Sequence, residues 1–461
     1  MIPEDVLAAL RSIVGAGGLK TGDALGAIHP GADARNLDAG VMVSPANTAE
    51  VAAVLDLCNR RRIGVVPQGG RTGLAGGGSS LAGEIILSLA AMNTIQLLSA
   101  SAGIAIVESG VTLQTLQEAA AGIGLSTGID IAARGSASIG GMISTNAGGM
   151  EAFRHGTMRQ RVLGLEVVFP DGAIMNELKQ VTKSNEGYDL KQLLIGAEGT
   201  LGVVTRAVIK LAPGDGFTAT ALVACASASS AVDLFQHMRQ TSGMDLLRAE
   251  FMDRSYFDVA SRNLGPPALA AFTRAPAYLI LENGAGEQSA AQSAMENALA
   301  QAIEQGLVID AVLAQSEKER SAIWAIREDS GVIDRVYPNG HWFDISVPLQ
   351  HLETWLVQFD TGIAALGNGT RGFAFGHLGD GNLHIGVAAA TDKQAAKEIV
   401  YANLLGWGGS FSAEHGIGTE KMPELLAFAD PVKLALMHSI KALVDPNGIM
   451  NPGKVLAGPA I

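Results

Sequence analysis

His377 and His384 flank an Asp-Gly turn in the stretch Gly376-His-Leu-Gly-Asp-Gly-Asn-Leu-His384. If Asp380 and Gly381 form the two-residue loop of a β-hairpin, Gly379 pairs with Asn382, Leu378 with Leu383, and His377 with His384. Asp-Gly between alternating residues is a strong hairpin signal, because both loop positions need positive φ. Directly opposed side chains on one face of such a pair have Cβ atoms roughly 5 Å apart, which lets two imidazoles share a metal ion. Further along, Ser412-Ala-Glu-His-Gly-Ile-Gly418 places a carboxylate, Glu414, beside a third histidine, His415. Two histidines spaced this way also suit a purely structural pair. The mirrored placement and the later Glu-His pair favour a metal with an adjacent acid–base group.

Such a site needs a framework. Val41–Val43 reads as a strand, and Asn47 with Glu50 as a capping-box-like start to a helix in which Val51, Val54, Leu55 and Cys58 recur at helical spacing. Arg60, Arg61 and Arg62 close it, compensating the helix dipole on a solvated face. Ile63–Val66 forms a strand that runs into the first glycine-rich block, Pro67 to Ser80. Strands follow at Ile85–Leu89 and Gly103–Val107, then a helix from Thr112 to Ala121 with Gly122 and Gly124 as stops. The second block, Thr127 to Gly149, has no amphipathic period yet is too apolar for a linker. Val162–Phe169 and Ala173–Asn176 form a hairpin, Leu193–Leu211 continues the sheet through the turn Gly196–Gly202, and Pro213–Gly216 marks a boundary. Beyond it, strands near 218–224, 277–282, 308–314, 341–347 and 372–387 alternate with helices, a second α+β domain.

Backbone N–H groups in glycine-rich turns make anion cradles, so both blocks are candidates for binding phosphate, with structural turns as the equal reading. The absence of GxGxxG and GxxxxGK[ST] sets aside a nicotinamide Rossmann site and a P-loop. Gly124-Leu-Ser-Thr-Gly128 fits the nucleophile-elbow pattern and offers Ser126 to a serine hydrolase. That elbow needs a strand before it and a helix after it; here a helix precedes and a long glycine-rich stretch follows.

A chain of 461 residues exceeds one ordinary core, which implies two or three domains. Hydrophobic residues at 48% with aromatics at 5% suit an α/β or α+β enzyme, and the 57 glycines cluster in loops where backbone approaches a ligand. The net charge of −13 argues against nucleic acid and an anionic membrane surface, and leaves anionic small molecules open. Cys58 and Cys225 make neither a CxxC motif nor a disulfide framework, as expected in a reducing, cytoplasmic setting. Glu4 and Asp5 stand where a signal peptide carries basic residues. The uncharged run between Glu84 and Glu108 is broken by Asn93, Thr94 and Gln96. It reads as strand, turn and strand rather than a spanning helix of roughly 20 apolar residues.

Taken in order, the first glycine block, Gly135–Gly149, Glu198-Gly-Thr-Leu-Gly202, Gly376–His384, Ser412–Gly418 and Asn451-Pro-Gly-Lys454 resemble the FAD-linked oxidoreductases of the vanillyl-alcohol-oxidase type. Within these the chain is most similar to the D-lactate, glycolate and D-2-hydroxyglutarate dehydrogenase branch, over essentially its whole length. The resemblance implies an N-terminal segment 1–34, a two-subdomain PCMH-type FAD-binding domain over 35–213, an α+β cap over 214–424, and a segment 425–461 that returns to complete the FAD domain. Implied FAD contacts are Pro67, Gly69, Gly70, Arg71, Thr72, Gly73 and Gly77 in the first block, and Gly135, Ser136, Gly140, Gly141, Asn146, Gly148 and Gly149 in the second. Glu198, Gly199, Gly202, Val203 and Asn451 complete that set. His377, His384 and Glu414 resemble ligands of a divalent metal, zinc or manganese; His415 resembles the catalytic base, and Arg327 the arginine that binds a substrate carboxylate. With no histidine in residues 67–80, the FAD is expected to be noncovalent.

Three positions depart from the dicarboxylate-specific pattern. Trp342 replaces a lysine, Gly331 a threonine and Gly386 an asparagine. An unpaired distal carboxylate in a closed pocket is costly, so the expected substrate, bound at Arg327 and Trp342, is a D-lactate-like 2-hydroxy monocarboxylate, with D-2-hydroxyglutarate as the alternative. Expected partners are that acid, an electron acceptor (an electron-transfer flavoprotein, a quinone or a cytochrome) and a second copy of the chain. A non-catalytic flavin-bearing subunit is the rival within the family, and the retained ligands and His415 argue against it.

Overall fold

In the computed structural model, which describes residues 2–367, 369–389 and 392–456, the chain divides into two units. The first comprises Met1–Gly149, His155–Gly214 and Glu414–Ile461; the second comprises Met150–Arg154 and Asp215–Ala413. The outward crossing at Gly214 falls inside the turn-rich Pro213–Gly216. The return comes at Glu414, so residues 414–424 join the first unit instead of ending a cap at 424. Their backbone explains why: Ile417 and Gly418 donate to Glu198, and Thr419 and Glu420 to the carbonyl of Ala75. The last five residues of the 425–461 segment lie outside the described residues.

Within the first unit, a mixed sheet runs Leu19–Thr21, Val41–Val43, Ile85–Ser88, Val65–Gln68, its last two pairings parallel. The helix Thr48–Arg61 begins where Asn47 accepts the N–H of Glu50 and Glu50 answers by accepting that of Ala46. Its stripe of Val51, Val54, Leu55 and Cys58 is fully buried. A second sheet, wholly antiparallel, runs Ile95–Ser99, Ile104–Glu108, Val203–Lys210, Val162–Val168, Ile174–Glu177. The expected strand Leu193–Leu211 is shorter: Lys191–Leu194 is a helical turn, and the strand starts at Val203, after the glycine turn. Ser126 ends a two-residue strand that follows the helix Leu113–Ala121, and the next helix begins only at Ile139. The strand-turn-helix of a nucleophile elbow is therefore absent there.

The second unit is built on a seven-stranded antiparallel sheet in the order Val308–Leu313, Phe217–Cys225, Ala277–Ala285, Leu246–Asp253, Arg371–His377, Asn382–Ala388, His341–Ser346. Side chains alternate between faces with period two. One face packs Ala221, Val223, Phe251 and Ile385 under the helices Ala228–Gln240, Gln288–Glu304 and Leu352–Leu366. The other packs Leu222, Met252, Ile280, Phe373 and Phe375 under Arg254–Leu264, Glu317–Glu328 and Val332–Val336. Parity places Glu250, Glu282, Trp342, Asp344, His377 and His384 on this second face. No helix of the described residues is long and apolar enough to cross a membrane.

The histidine hairpin differs from the expectation. Leu378–Asp380 forms a 3-10 turn and only Gly381 has positive φ, at 75°. The loop therefore takes four residues, and the register slides so that His377 faces Asn382 and Phe375 faces His384. Four connecting residues keep the parity, so both imidazoles remain on one face as diagonal neighbours.

Candidate functional site

Between Gly69 and Gly78, no backbone N–H donates a hydrogen bond to another described residue. A run of unpaired donors this long is costly unless an acceptor meets it, and successive N–H groups in turns form an anion-binding concavity. The loop is held in place by its neighbour. A Cβ on Gly69 would lie 2.0 Å from Ser138 Oγ, and one on Gly70 would lie 1.8 Å from the carbonyl oxygen of Ser136. The two glycine blocks thus meet backbone to backbone, and Arg71 turns the chain in the left-handed region, at φ 55°.

Several residues implied as cofactor contacts have structural partners of their own. The carboxylate of Glu198, itself at φ 51°, accepts from Ile417 N–H at 2.7 Å and Gly418 N–H at 2.9 Å. Burial pushes that carboxyl above its ordinary range, against the pull of those two donors. Asn451 donates to the carbonyls of Gly77 and Glu198, and Gly199 rests on Pro67. Gly140 and Gly141 open the helix Ile139–Thr145, where Gly140 donates to Ser109 and Gly141 to Ser138. Asn146 ends that helix at φ 55° and accepts from Arg159 N–H and the Thr157 hydroxyl. Gly202 packs against Val167 and Val168 as Val203 enters the sheet, and Gly135 lies beside Gln114. Gly149 donates to Glu414 Oε1 at 2.7 Å, which ties the second glycine block to the Glu-His pair. Thr72, Gly73, Ser136, Gly148 and the half-buried His415 lie on loop segments of the same unit.

On the second unit's sheet, Glu250 stands between two of the expected site residues. Its Oε1 meets His377 Nδ1 at 2.7 Å and its Oε2 meets Arg327 Nε at 2.7 Å, with the carboxylate fully buried. The Arg327 guanidinium lies over the Phe375 ring, 4.9 Å from its centre, and its Nη2, like its ion-paired Nε, is buried without a hydrogen bond. A buried unpaired donor in a native fold calls for an explanation; a planar guanidinium is the natural bidentate partner of a carboxylate. The rings of His377 and His384 are 5.4 Å apart and edge-on, and His384 Nδ1 is 3.7 Å from Asp344.

Glu250 was not found by sequence reasoning, because the strand Leu246–Asp253 that carries it was not anticipated. Its signal was there: in Leu246-Leu-Arg-Ala-Glu-Phe-Met252, charges at 248 and 250 share a face inside an otherwise apolar run. The first of them belongs to a second network. Arg248 pairs with Glu282 and Glu151, and Glu282, fully buried, also accepts from Arg320 at 2.9 Å, Trp324 Nε1 at 3.0 Å and Thr220 at 2.6 Å. Burial pushes the Glu282 carboxyl up, but Arg248 and Arg320 outweigh it and hold it below its ordinary value. Arg320, Trp324 and Arg327 recur at helical spacing along Glu317–Glu328, so Glu282 and Glu250 together fix that helix on the sheet.

Two of the three departures prove to be one feature. Trp342 pairs with Gly386 across the strands, and a Cβ on Gly386 would lie 3.1 Å from Cζ3 and Cη2 of the indole. The ring is edge-on to Phe375 and its N–H donates to Asp334 at 2.8 Å. The indole therefore covers the position where an asparagine side chain would start. A Cβ on Gly331 would have Arg335 and Asp329, an exposed ion pair at 2.7 Å, as its nearest neighbours.

Residues 39–176 match an FAD binding domain family, and residues 216–455 match the C-terminal domain family of FAD linked oxidases. The mitochondrial D-2-hydroxyglutarate dehydrogenase of Arabidopsis thaliana is 35% identical over 422 residues, 90% of this chain and 75% of that protein. The D-2-hydroxyglutarate dehydrogenase of Stutzerimonas stutzeri is 35% identical over 430 residues, 90% of each chain. Among solved structures, an alkyldihydroxyacetonephosphate synthase shares the fold, with a TM-score of 0.75 at 16% identity over 99% of this chain and 86% of the other.

Proposed function

Because the chain belongs to the FAD-linked oxidase family, as an FAD-dependent D-2-hydroxy-acid dehydrogenase, we propose that it converts a D-lactate-like 2-hydroxy monocarboxylate to the 2-oxo acid. The observation that carries the reading is the buried guanidinium of Arg327, with an unpaired Nη2, on the same sheet face as His377 and His384. FAD, when bound, would supply the acceptor for the hydrogen and electron pair that leave C2, and a divalent metal would lower the pKa of the 2-hydroxyl. The first glycine block, with its unpaired N–H groups, fits the pyrophosphate, and residues 67–80 offer no histidine for a covalent link. By the resemblance, His377, His384 and Glu414 would hold the metal, and two imidazoles with one carboxylate are donor types that suit zinc or manganese. Arg327 holds and orients the C1 carboxylate, while His415 accepts the hydroxyl proton.

Trp342 and Gly386 favour the monocarboxylate, since the indole presents an apolar surface where a second carboxylate would need a cation. The names of the relatives favour D-2-hydroxyglutarate instead, and Arg335 is a cation beside Gly331. Purified protein is expected to be yellow and to release its flavin on acid precipitation. Dye-linked assays should give kcat/KM for D-lactate, or a larger apolar D-2-hydroxy acid, at least ~100-fold above that for D-2-hydroxyglutarate. A ratio near one, or one favouring the dicarboxylate, overturns the monocarboxylate assignment.

A further inference from the structure

We infer that Glu250 is the positioning residue of this site, one carboxylate that sets the substrate clamp with one oxygen and a metal-ligating imidazole with the other. The inference rests on the proposed roles of Arg327 and His377. It explains why a carboxylate with no exposure sits where it does. Oε2, 2.7 Å from Arg327 Nε, holds the guanidinium by charge, as a buried ion pair without the alignment of a hydrogen bond. The Phe375 ring, 4.9 Å from the guanidinium carbon, supports it from a second side, and its buried Nη2 has no hydrogen-bond partner. Oε1, 2.7 Å from His377 Nδ1, accepts the ring N–H there and selects the tautomer whose Nε2 carries the lone pair. A carboxylate in this place also raises the ring's basicity as a ligand, an arrangement whose loss typically weakens metal binding 10–100-fold. Glu250 is held by the sheet itself: its strand pairs with Ala277–Ala285 on one side, and on the other Glu250 faces His377 directly in register. The two oxygens belong to one carboxylate, so the geometry joins the proposed substrate clamp and the proposed metal ligand through a single side chain.

The test compares wild-type holoenzyme with Glu250→Gln and Glu250→Asp. An amide in place of the carboxylate donates to His377 Nδ1 instead of accepting from it, which moves the ring proton to Nε2, or else turns its oxygen to the ring and its NH₂ toward Arg327. Either way one partner is lost. Zn²⁺ affinity is measured by calorimetry on chelated protein, and the affinity for oxamate, a 2-oxo monocarboxylate analogue, by the change in flavin absorbance. Glu250→Gln is expected to weaken Zn²⁺ or oxamate at least ~10-fold, with 15N histidine spectra reporting the tautomer at His377. Glu250→Asp, one methylene short, keeps the charge but cannot span both partners and weakens both ligands. It carries the test alone if the glutamine variant does not fold. Retained FAD content and far-UV circular dichroism separate these effects from general disruption. Variants that bind Zn²⁺ and oxamate as the wild type does, with an unchanged His377 spectrum, overturn the role of Glu250 alone. A wild type that binds neither probe overturns the reading of the site on which it rests.

Discussion

Replacing Gly70 by alanine tests whether the two glycine blocks form the FAD cradle by direct backbone contact. The added Cβ would lie 1.8 Å from the carbonyl oxygen of Ser136, 2.6 Å from its carbon and 3.2 Å from Ala137 Cα. All three are backbone atoms, so no side chain can swing aside, and the loops must part by more than 1 Å to restore a 3.0 Å contact. Overpacking typically costs about 1–3 kcal/mol, and a rigid backbone on both sides places this case at the upper end. At ~1.4 kcal/mol per factor of ten, the expected loss in FAD affinity is roughly 100-fold. The assay is reconstitution of apoprotein followed by flavin fluorescence, with chemical denaturation of each apoprotein alongside. Gly73→Ala is the companion: a Cβ there meets nothing within 4 Å and its φ is ordinary. It should leave the denaturation midpoint unchanged. A Gly70→Ala protein that binds FAD within about threefold of wild type refutes the backbone-contact argument.

Exhaustive chelation, and separately His384→Ala, should each lower turnover at least ~100-fold, with Zn²⁺ or Mn²⁺ restoring only the chelated wild type; full activity in either case counts against the metal. Glu282→Gln leaves Arg248 and Arg320 short of a buried partner and should destabilise the protein by about 3–5 kcal/mol in urea unfolding. Because Glu282 is held below its ordinary 4.5, the stability it contributes is present above that pH and lost as pH falls below it. The acid limb of the wild-type stability curve should therefore flatten in Glu282→Gln, and a parallel limb would disprove the assignment. Burial pushes the Cys58 and Cys225 thiols up to about 12, so neither should react with a disulfide reagent at pH 8 until the protein is unfolded.

How much of this was legible in the sequence depended on whether a signal was local. The capped helix after Asn47, the hairpin at Val162–Glu177 and the glycine blocks follow from neighbouring residue types, and they stand close to where those types place them. The histidine hairpin was legible as a hairpin but not in its register. Asp-Gly can be a whole loop or the end of a longer one, and only contacts such as Gly381 against Val347 decide. Parity saved the conclusion, since a two-residue slide keeps both imidazoles on one face. Glu250 and Glu282 were hidden for a different reason: a buried carboxylate explains itself only through partners far along the chain, Arg327, His377, Arg248 and Arg320. Trp342 and Gly386 looked like two losses of polar groups. The strand pairing shows that the indole of one lies over the other.

The parallel bridge between Val65 and Met450 bears on how the protein is made. Val65 donates to the carbonyl of Ile449 and accepts from Asn451, and Asn451 then donates to the carbonyls of Gly77 and Glu198 at the glycine loop. The loop leaves the ribosome early, but the residues that brace it emerge hundreds of positions later, on the order of tens of seconds at roughly 5–20 residues per second. Residues Asp215–Ala413, which with Met150–Arg154 make up the second unit, are all synthesised before then. Nascent chains interrupted before Asn451 would leave the glycine loop unbraced. If that loop holds FAD as proposed, flavin loading would be a late step of biosynthesis, and the yellow colour of a preparation would report on chains that reach Asn451.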